Sequence, residues 1–198
     1  MQSIYSFRGC INAFNYLPKD ALIVEFYSTF RVGNPACDLI RSEFDDCWMI
    51  SKSENETNFV KSFEEHDKYV YLFRSWRVLL QTAEKTQNIW IYSYDKKINE
   101  IINLHKKLSN RVLNTNDDDK YEDDLPKFLT TISIHQLEEL IDNITKNIVK
   151  FEDSKIKLYT THSYKGMEDN NIRLANDIDI CEDENIYYVS ITRGMKKI

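Results

Sequence analysis

Glycine and proline are scarce in this chain, with four and three residues among 198. Loop-rich and all-β architectures need more of both, so the scarcity favours long helices joined by buried strands. Cysteine is sparse as well: Cys10, Cys37, Cys47 and Cys181 show no C-x-x-C spacing and no close pair. They read as small buried residues or free thiols in a reducing compartment, which excludes a zinc site or a disulfide frame. No apolar run approaches the ~18 residues that span a bilayer, and no signal-peptide pattern opens the chain. The expectation is a soluble intracellular protein, of cytoplasm or nucleus, with no membrane partner. A surplus of positive charge is also missing. The formal charge of −6 argues against a general nucleic-acid binder. Much of that excess sits in Asp117-Asp118-Asp119-Lys120-Tyr121-Glu122-Asp123-Asp124, a run expected to be a solvated loop, so the remaining surface is not constrained by it.

What is present suffices for a core. A hydrophobic content of 42% with 13% aromatics fits a globular chain, long enough for one good core or two small ones sharing an interface. Ala21-Leu22-Ile23-Val24-Glu25-Phe26-Tyr27 is apolar and β-branched and predicts a buried strand. After Gly33, Asn34 as cap and Pro35 as first helical residue predict a helix carrying Cys37, Leu39, Ile40 and Phe44 inward. Further strands are expected at 69–73, 88–92 and 155–160, and helices at 75–85, 95–108, 134–151 and 184–190. Strands alternating with helices at this interval indicate a parallel α/β sheet.

Four blocks carry chemistry. In the first, Tyr5 and Phe7 alternate with polar residues and Arg8 follows. Aromatics beside an arginine can form a stacking platform for unpaired bases, and the same spacing also fits a strand edge with a surface cation. The second block, Tyr27-Ser28-Thr29-Phe30-Arg31, follows the first strand, where α/β proteins bind ligands and a guanidinium can neutralise phosphate. In the third, Tyr159-Thr160-Thr161-His162-Ser163-Tyr164-Lys165-Gly166-Met167-Glu168, hydroxyl, imidazole and ammonium groups at a strand end suit a phosphodiester backbone. A single histidine there is as well explained by structure. The fourth is Tyr187-Tyr188-Val189-Ser190-Ile191-Thr192-Arg193-Gly194, a helix with an arginine at its end.

In this order the blocks resemble motifs III, IV, V and VI of the UvrD/Rep/PcrA-type superfamily 1 DNA helicases. Gln2-Ser3-Ile4-Tyr5-Ser6-Phe7-Arg8-Gly9 resembles motif III, and Asn12-Ala13 extends it as in the compact F-box DNA helicases. The likeness spans Gln2 to Lys197, although residues between Arg31 and Thr160 match weakly; there Phe73-Arg74-Ser75 is similar to the family's strand ending in Arg-Thr-Asn. Motif VI is usually followed by a further strand, so a chain stopping at Lys196-Lys197-Ile198 reads as clipped there. Asp169-Asn170 departs from the usual Phe and its neighbour, so the strand after Glu168 is expected to start loosely.

The resemblance implies a RecA-like, P-loop NTPase-type α/β fold: a parallel sheet with helices on both faces, forming the second motor domain (21–198, with an acidic loop at 114–124). Residues 1–20 would be a stub of the first motor domain. It implies that Gln2, Arg31 and Arg193 sense or stabilise the γ-phosphate, Arg193 as an arginine finger. Phe30 would stack on adenine and Glu168 would lie near the ribose. Tyr5, Phe7, Arg8, Thr161, His162 and Lys165 would contact single-stranded DNA, with 3′-to-5′ movement in DNA repair. A motor also needs a Gly-rich loop ending in Gly-Lys-Ser/Thr and an acidic pair for Mg²⁺. With glycines only at 9, 33, 166 and 194, neither device occurs. ATP and Mg²⁺ are therefore expected only in an assembled motor with a separately encoded N-terminal domain, and the chain alone is expected to be inactive. The alternative is a non-catalytic nucleic-acid or helicase-docking module. Abundant Asn, Lys and Ile suit an AT-rich genome, that of a large DNA virus included.

Overall fold

A computed structural model of the chain describes residues 16–22, 27–44, 48–110 and 124–198. The block holding Gln2, Tyr5, Phe7 and Arg8 lies outside the described residues, as do most of the strand expected at 21–27 and nearly all of the acidic loop.

The elements run β1 (Ser28–Thr29), α1 (Asn34–Glu43), β2 (Ile50–Ser51), β3 (Tyr69–Phe73), α2 (Trp76–Lys85), β4 (Ile89–Ile91), α3 (Tyr94–Ser109), α4 (Leu125–Thr130), α5 (Ile134–Asn147), β5 (Ile156–Thr160), α6 (Thr161–Tyr164), β6 (Asp169–Leu174), α7 (Glu184–Ile191) and β7 (Gly194–Lys197). Five strands form one parallel sheet in the order β4-β5-β3-β6-β7. Parallel neighbours need crossovers, which is why helices separate them in sequence. In register, Tyr69 faces Ile156 and Phe73 faces Thr160 across β3 and β5. The expected α/β class with helices flanking a parallel sheet is what the chain adopts.

Side-chain alternation divides the core in two. Val70, Leu72 and Tyr159 point into a layer shared with α1 and α7, where Ile40, Phe44, Ile186 and Val189 are buried. Phe73, Ile89, Ile91 and Leu158 point the other way, into a layer built by α2, α3, α4 and α5 around Leu79, Ile101, Leu137 and Ile144. The second layer is firmly capped. Ser75 accepts from Val78 N at the start of α2, and Ser133 and Gln136 form a reciprocal capping box on α5. Asp177, just beyond β6, accepts from Arg74 N and Ser75 N at 3.2 and 2.9 Å, locking the β3–α2 turn.

Several boundaries differ from expectation, each for a tertiary reason. The N-cap of α1 is Gly33, not Asn34, because Gly33 N donates to Thr57 Oγ1 at 2.8 Å. A Cβ at that position would lie 2.2 Å from Thr57 N, so only glycine permits the approach. Helix α5 stops at Asn147 instead of 151, since Ile148 bridges to Ile89 and Val149 N donates to Ile89 O along the sheet edge. The strand after Glu168 starts at Asp169, whose N–H donates to Arg193 O, and its pairing with β7 shifts register between Asp169 and Asn171, an irregular entry as expected. The strand expected to be clipped after Arg193 is formed by 194–197 and pairs with β6.

Candidate functional site

Arg31 is presented by a pinned turn. Thr29 Oγ1 accepts from Arg31 N at 3.3 Å and Val32 N at 3.5 Å, while Ser51 Oγ donates to Val32 O at 2.7 Å. Val32 itself is buried against α1, so the backbone on either side of Arg31 is held and the side chain is left to reach outward. Its Nη1 donates to Glu168 Oε2 at 3.1 Å across 137 positions of sequence. Its Nε is buried and has no partner. A buried donor left unpaired costs about 1–3 kcal/mol, which an incoming oxyanion would recover.

Glu168 is brought there by the turn after α6. Met167 N donates to Tyr164 O, and Gly166 takes φ +91°, a backbone state that side-chain-bearing residues avoid. Arg193 arrives from the other direction, at the end of α7. It is only 3% exposed, and its Nε and Nη2 donate to Val189 O and Thr192 Oγ1 at 2.9 and 3.0 Å, with Nη1 towards Met167 O at 3.4 Å. Burial first, and then the neighbouring charge of Arg31, push the Arg193 pKa below the ordinary guanidinium value, partly opposed by Tyr188 and Glu168. A guanidinium stays charged regardless. Among the described residues Glu168 thus pairs with Arg31 alone, and Arg193 lies close enough to feel the charge of both.

Phe30 stands beside Arg31 with its ring 78% exposed. Trp48 and Ile50, 70% and 51% exposed, lie on and just before the strand that pairs with β1, where Ile50 faces Ser28. The sequence reading passed over these two. Nothing in local spacing marks them, because the β1–β2 pairing joins segments 22 residues apart.

The third block divides. Thr161 is completely buried and its Oγ1 lies 2.9 Å from Ser190 Oγ, so its hydroxyl ties α6 to the last turn of α7. Thr160 Oγ1 accepts from Ser163 N and caps α6. His162 and Lys165 are half-buried on α6 and the turn beyond it. Ser190, which delivers α7 to Thr161, was missed by the sequence reading, although it sits inside the fourth block. Arg74 at the β3 end is held in a similar way, its Nη1 paired with Glu182 and its Nε buried without a partner.

Geometry thus brings Arg31, Glu168 and Arg193 together and fastens α6 to the helix that carries Arg193. Gln2, Tyr5, Phe7 and Arg8 are outside the described residues. Among the described residues no group of three or more His, Cys, Asp and Glu could hold a metal ion, and no helix is long and apolar enough to cross a membrane. Compared with protein-family models and with curated proteins, the chain matches none.

Proposed function

We propose that the chain is the second, RecA-like motor domain of a UvrD/Rep-type superfamily 1 DNA helicase, contributing one half of an ATP site and part of a single-strand path. The observation that carries this reading is the convergence of Arg31, Glu168 and Arg193 from three separate blocks. Electrostatics favours a phosphoryl group there. The Arg31 fork has an orphaned Nε and a partner it can exchange, and Arg193 adds a second charge behind it. Phe30 offers a ring next to that charge, as a purine base would require.

On this reading the phosphate loop and the Mg²⁺-binding acidic pair are supplied by residues outside these 198, and ATP is held mainly there. Arg31 stabilises the γ-phosphoryl charge. Arg193 fixes the end of α7 and adds its field from behind. The buried Thr161–Ser190 hydrogen bond transmits movement between α7 and α6, where His162 and Lys165 meet the DNA backbone. The isolated chain is expected to hydrolyse no ATP. Mixed with a first motor domain that carries a Gly-Lys-Ser/Thr loop, it should give DNA-stimulated hydrolysis, measured by phosphate release. A mixture of folded partners with no such activity would sink the motor reading.

A second reading has one observation in its favour. Every nitrogen of Arg193 faces a group of its own chain, as a purely structural arginine would. The chain would then be a non-catalytic module that binds single strands or docks on a helicase, and Arg31→Ala would leave all its activities intact.

A further inference from the structure

On the α1/α7 side of the sheet, α6 packs over β3 and β5 and α7 over β6, and β4 at the sheet edge keeps an aromatic face in view. Phe151 and Trp90 meet edge to face with ring centroids 5.0 Å apart, and Trp90 lies 6.2 Å from Tyr92. Tyr92 stacks on Tyr159 at 5.2 Å with rings 23° from parallel, and Tyr159 meets Tyr164 at 4.8 Å. These rings form a continuous ladder from the 148–154 turn to α6, where His162 and Lys165 sit. Tyr159 and Tyr164 are buried and Trp90 is half-buried, whereas Tyr92 and Phe151 are each 43% exposed.

Cations flank the ladder. Lys157 Nζ lies 3.9 Å from the Phe151 ring centroid. An open hollow of about 900 Å³ beside it is lined by Trp90, Lys96 and Lys150, with Asp95 and Asp153 also at its rim. Of the five lysines in the segments 88–97 and 148–157, Lys97 reaches over Trp76 in the other layer and Lys155 donates to Glu65 O, which leaves Lys96, Lys150 and Lys157 for this face. Exposed π-faces beside ammonium groups suit a ligand that alternates flat bases with phosphates. An apolar protein surface would match the rings and offer no acceptor to the ammonium groups.

We infer that the Tyr92–Phe151 face is a binding surface for single-stranded nucleic acid, with unpaired bases stacked on the two exposed rings and the phosphates between Lys150 and Lys157. The inference rests on the nucleic-acid half of the function proposed above and is independent of the ATP half. It extends the strand path beyond α6 to residues that none of the four blocks contains.

Fluorescence anisotropy of a short labelled oligo(dT), titrated with the full chain at low salt, tests it. Tyr92→Ala and Phe151→Ala should each weaken binding about tenfold, as loss of a stacking ring does, while Tyr92→Phe retains wild-type affinity. Lys150→Glu should weaken binding and lower the slope of log affinity against log salt by about one or more. Both exposed-ring variants are checked for wild-type circular dichroism and melting, and Lys150→Glu, with its expected change of salt slope, carries the test if either alanine variant fails to fold. Unchanged affinity in the folded Tyr92→Ala/Phe151→Ala variant overturns the inference, as does absence of binding by the wild type. So does self-association by light scattering that these substitutions abolish without affecting oligo(dT). Retained sensitivity to Lys165→Ala with an inert ladder would remove this surface and leave the α6 contacts standing. Sensitivity of the ladder alone would support the surface and count against the helicase-like strand path.

Discussion

On one face of the sheet, α2, α3, α4 and α5 bury an apolar layer closed by Ser75 and the Ser133–Gln136 capping box. On the other, α1, α6 and α7 carry nearly every polar group of interest: Arg31 beside α1, Thr161 and His162 on α6, and Arg193 at the end of α7. Both layers bury a comparable apolar cluster, and the second adds specific hydrogen bonds and charges. Mutations should therefore separate into those that lower stability and those that alter the response to a ligand.

The largest loss is expected in the apolar layer. Leu79→Ala, at a fully buried site on α2, should cost about 2–5 kcal/mol in urea unfolding. Thr161→Val on the other face should cost about 1–3 kcal/mol, because the Ser190 hydroxyl would be left buried without a partner. A cost below a few tenths would show that the α6–α7 tie is unimportant. Ser133→Ala, which removes one arm of the capping box, should cost about 1 kcal/mol with no change in ligand binding. Glu168→Gln should change stability by under about 1 kcal/mol, since the Arg31–Glu168 pair is largely solvated, and should raise the affinity of Arg31 for added triphosphate.

The smallest effect is a pH dependence at the sheet's far edge. Lys197 hydrogen-bonds Asp67, which lowers the carboxyl's pKa below 3.8 and raises the ammonium's above 10.5. The depressed carboxylate contributes stability at neutral pH that is lost as pH falls through its folded value. The raised ammonium contributes stability that is lost as pH rises past its folded value. Melting curves of wild type and Asp67→Asn should thus converge only at strongly acid and strongly alkaline pH. A constant difference across the range would show that the pair does not act.

Much of the apolar layer was legible in the sequence. Tyr69–Phe73 is an unbroken apolar run, Ser75 and Ser133 are capping residues before helical periodicity, and three-to-four spacing marks α2, α3 and α5. The other layer was read less well, because distant contacts decide it. The β1 and β2 strands are two residues each and exist only by pairing with one another. The polar start of β6, Asp169-Asn170-Asn171, looks unlike a strand until Arg193 O accepts its first N–H. Burial of Arg193 could not be read from spacing, since arginines are mostly exposed. That Arg31, Glu168 and Arg193 meet was expected from the resemblance alone. Periodicity had nothing to say about it.

The claim that the polar face is half of a phosphoryl-transfer site is tested most directly by DNA-stimulated ATP hydrolysis in the assembled motor. In a fusion of a compact first motor domain to residues 1–198, Arg31→Ala and Arg193→Ala should each lower kcat by about a thousandfold or more, with oligo(dT) affinity unchanged. Hydrolysis that proceeds in both variants at the rate of the unsubstituted fusion would contradict the account.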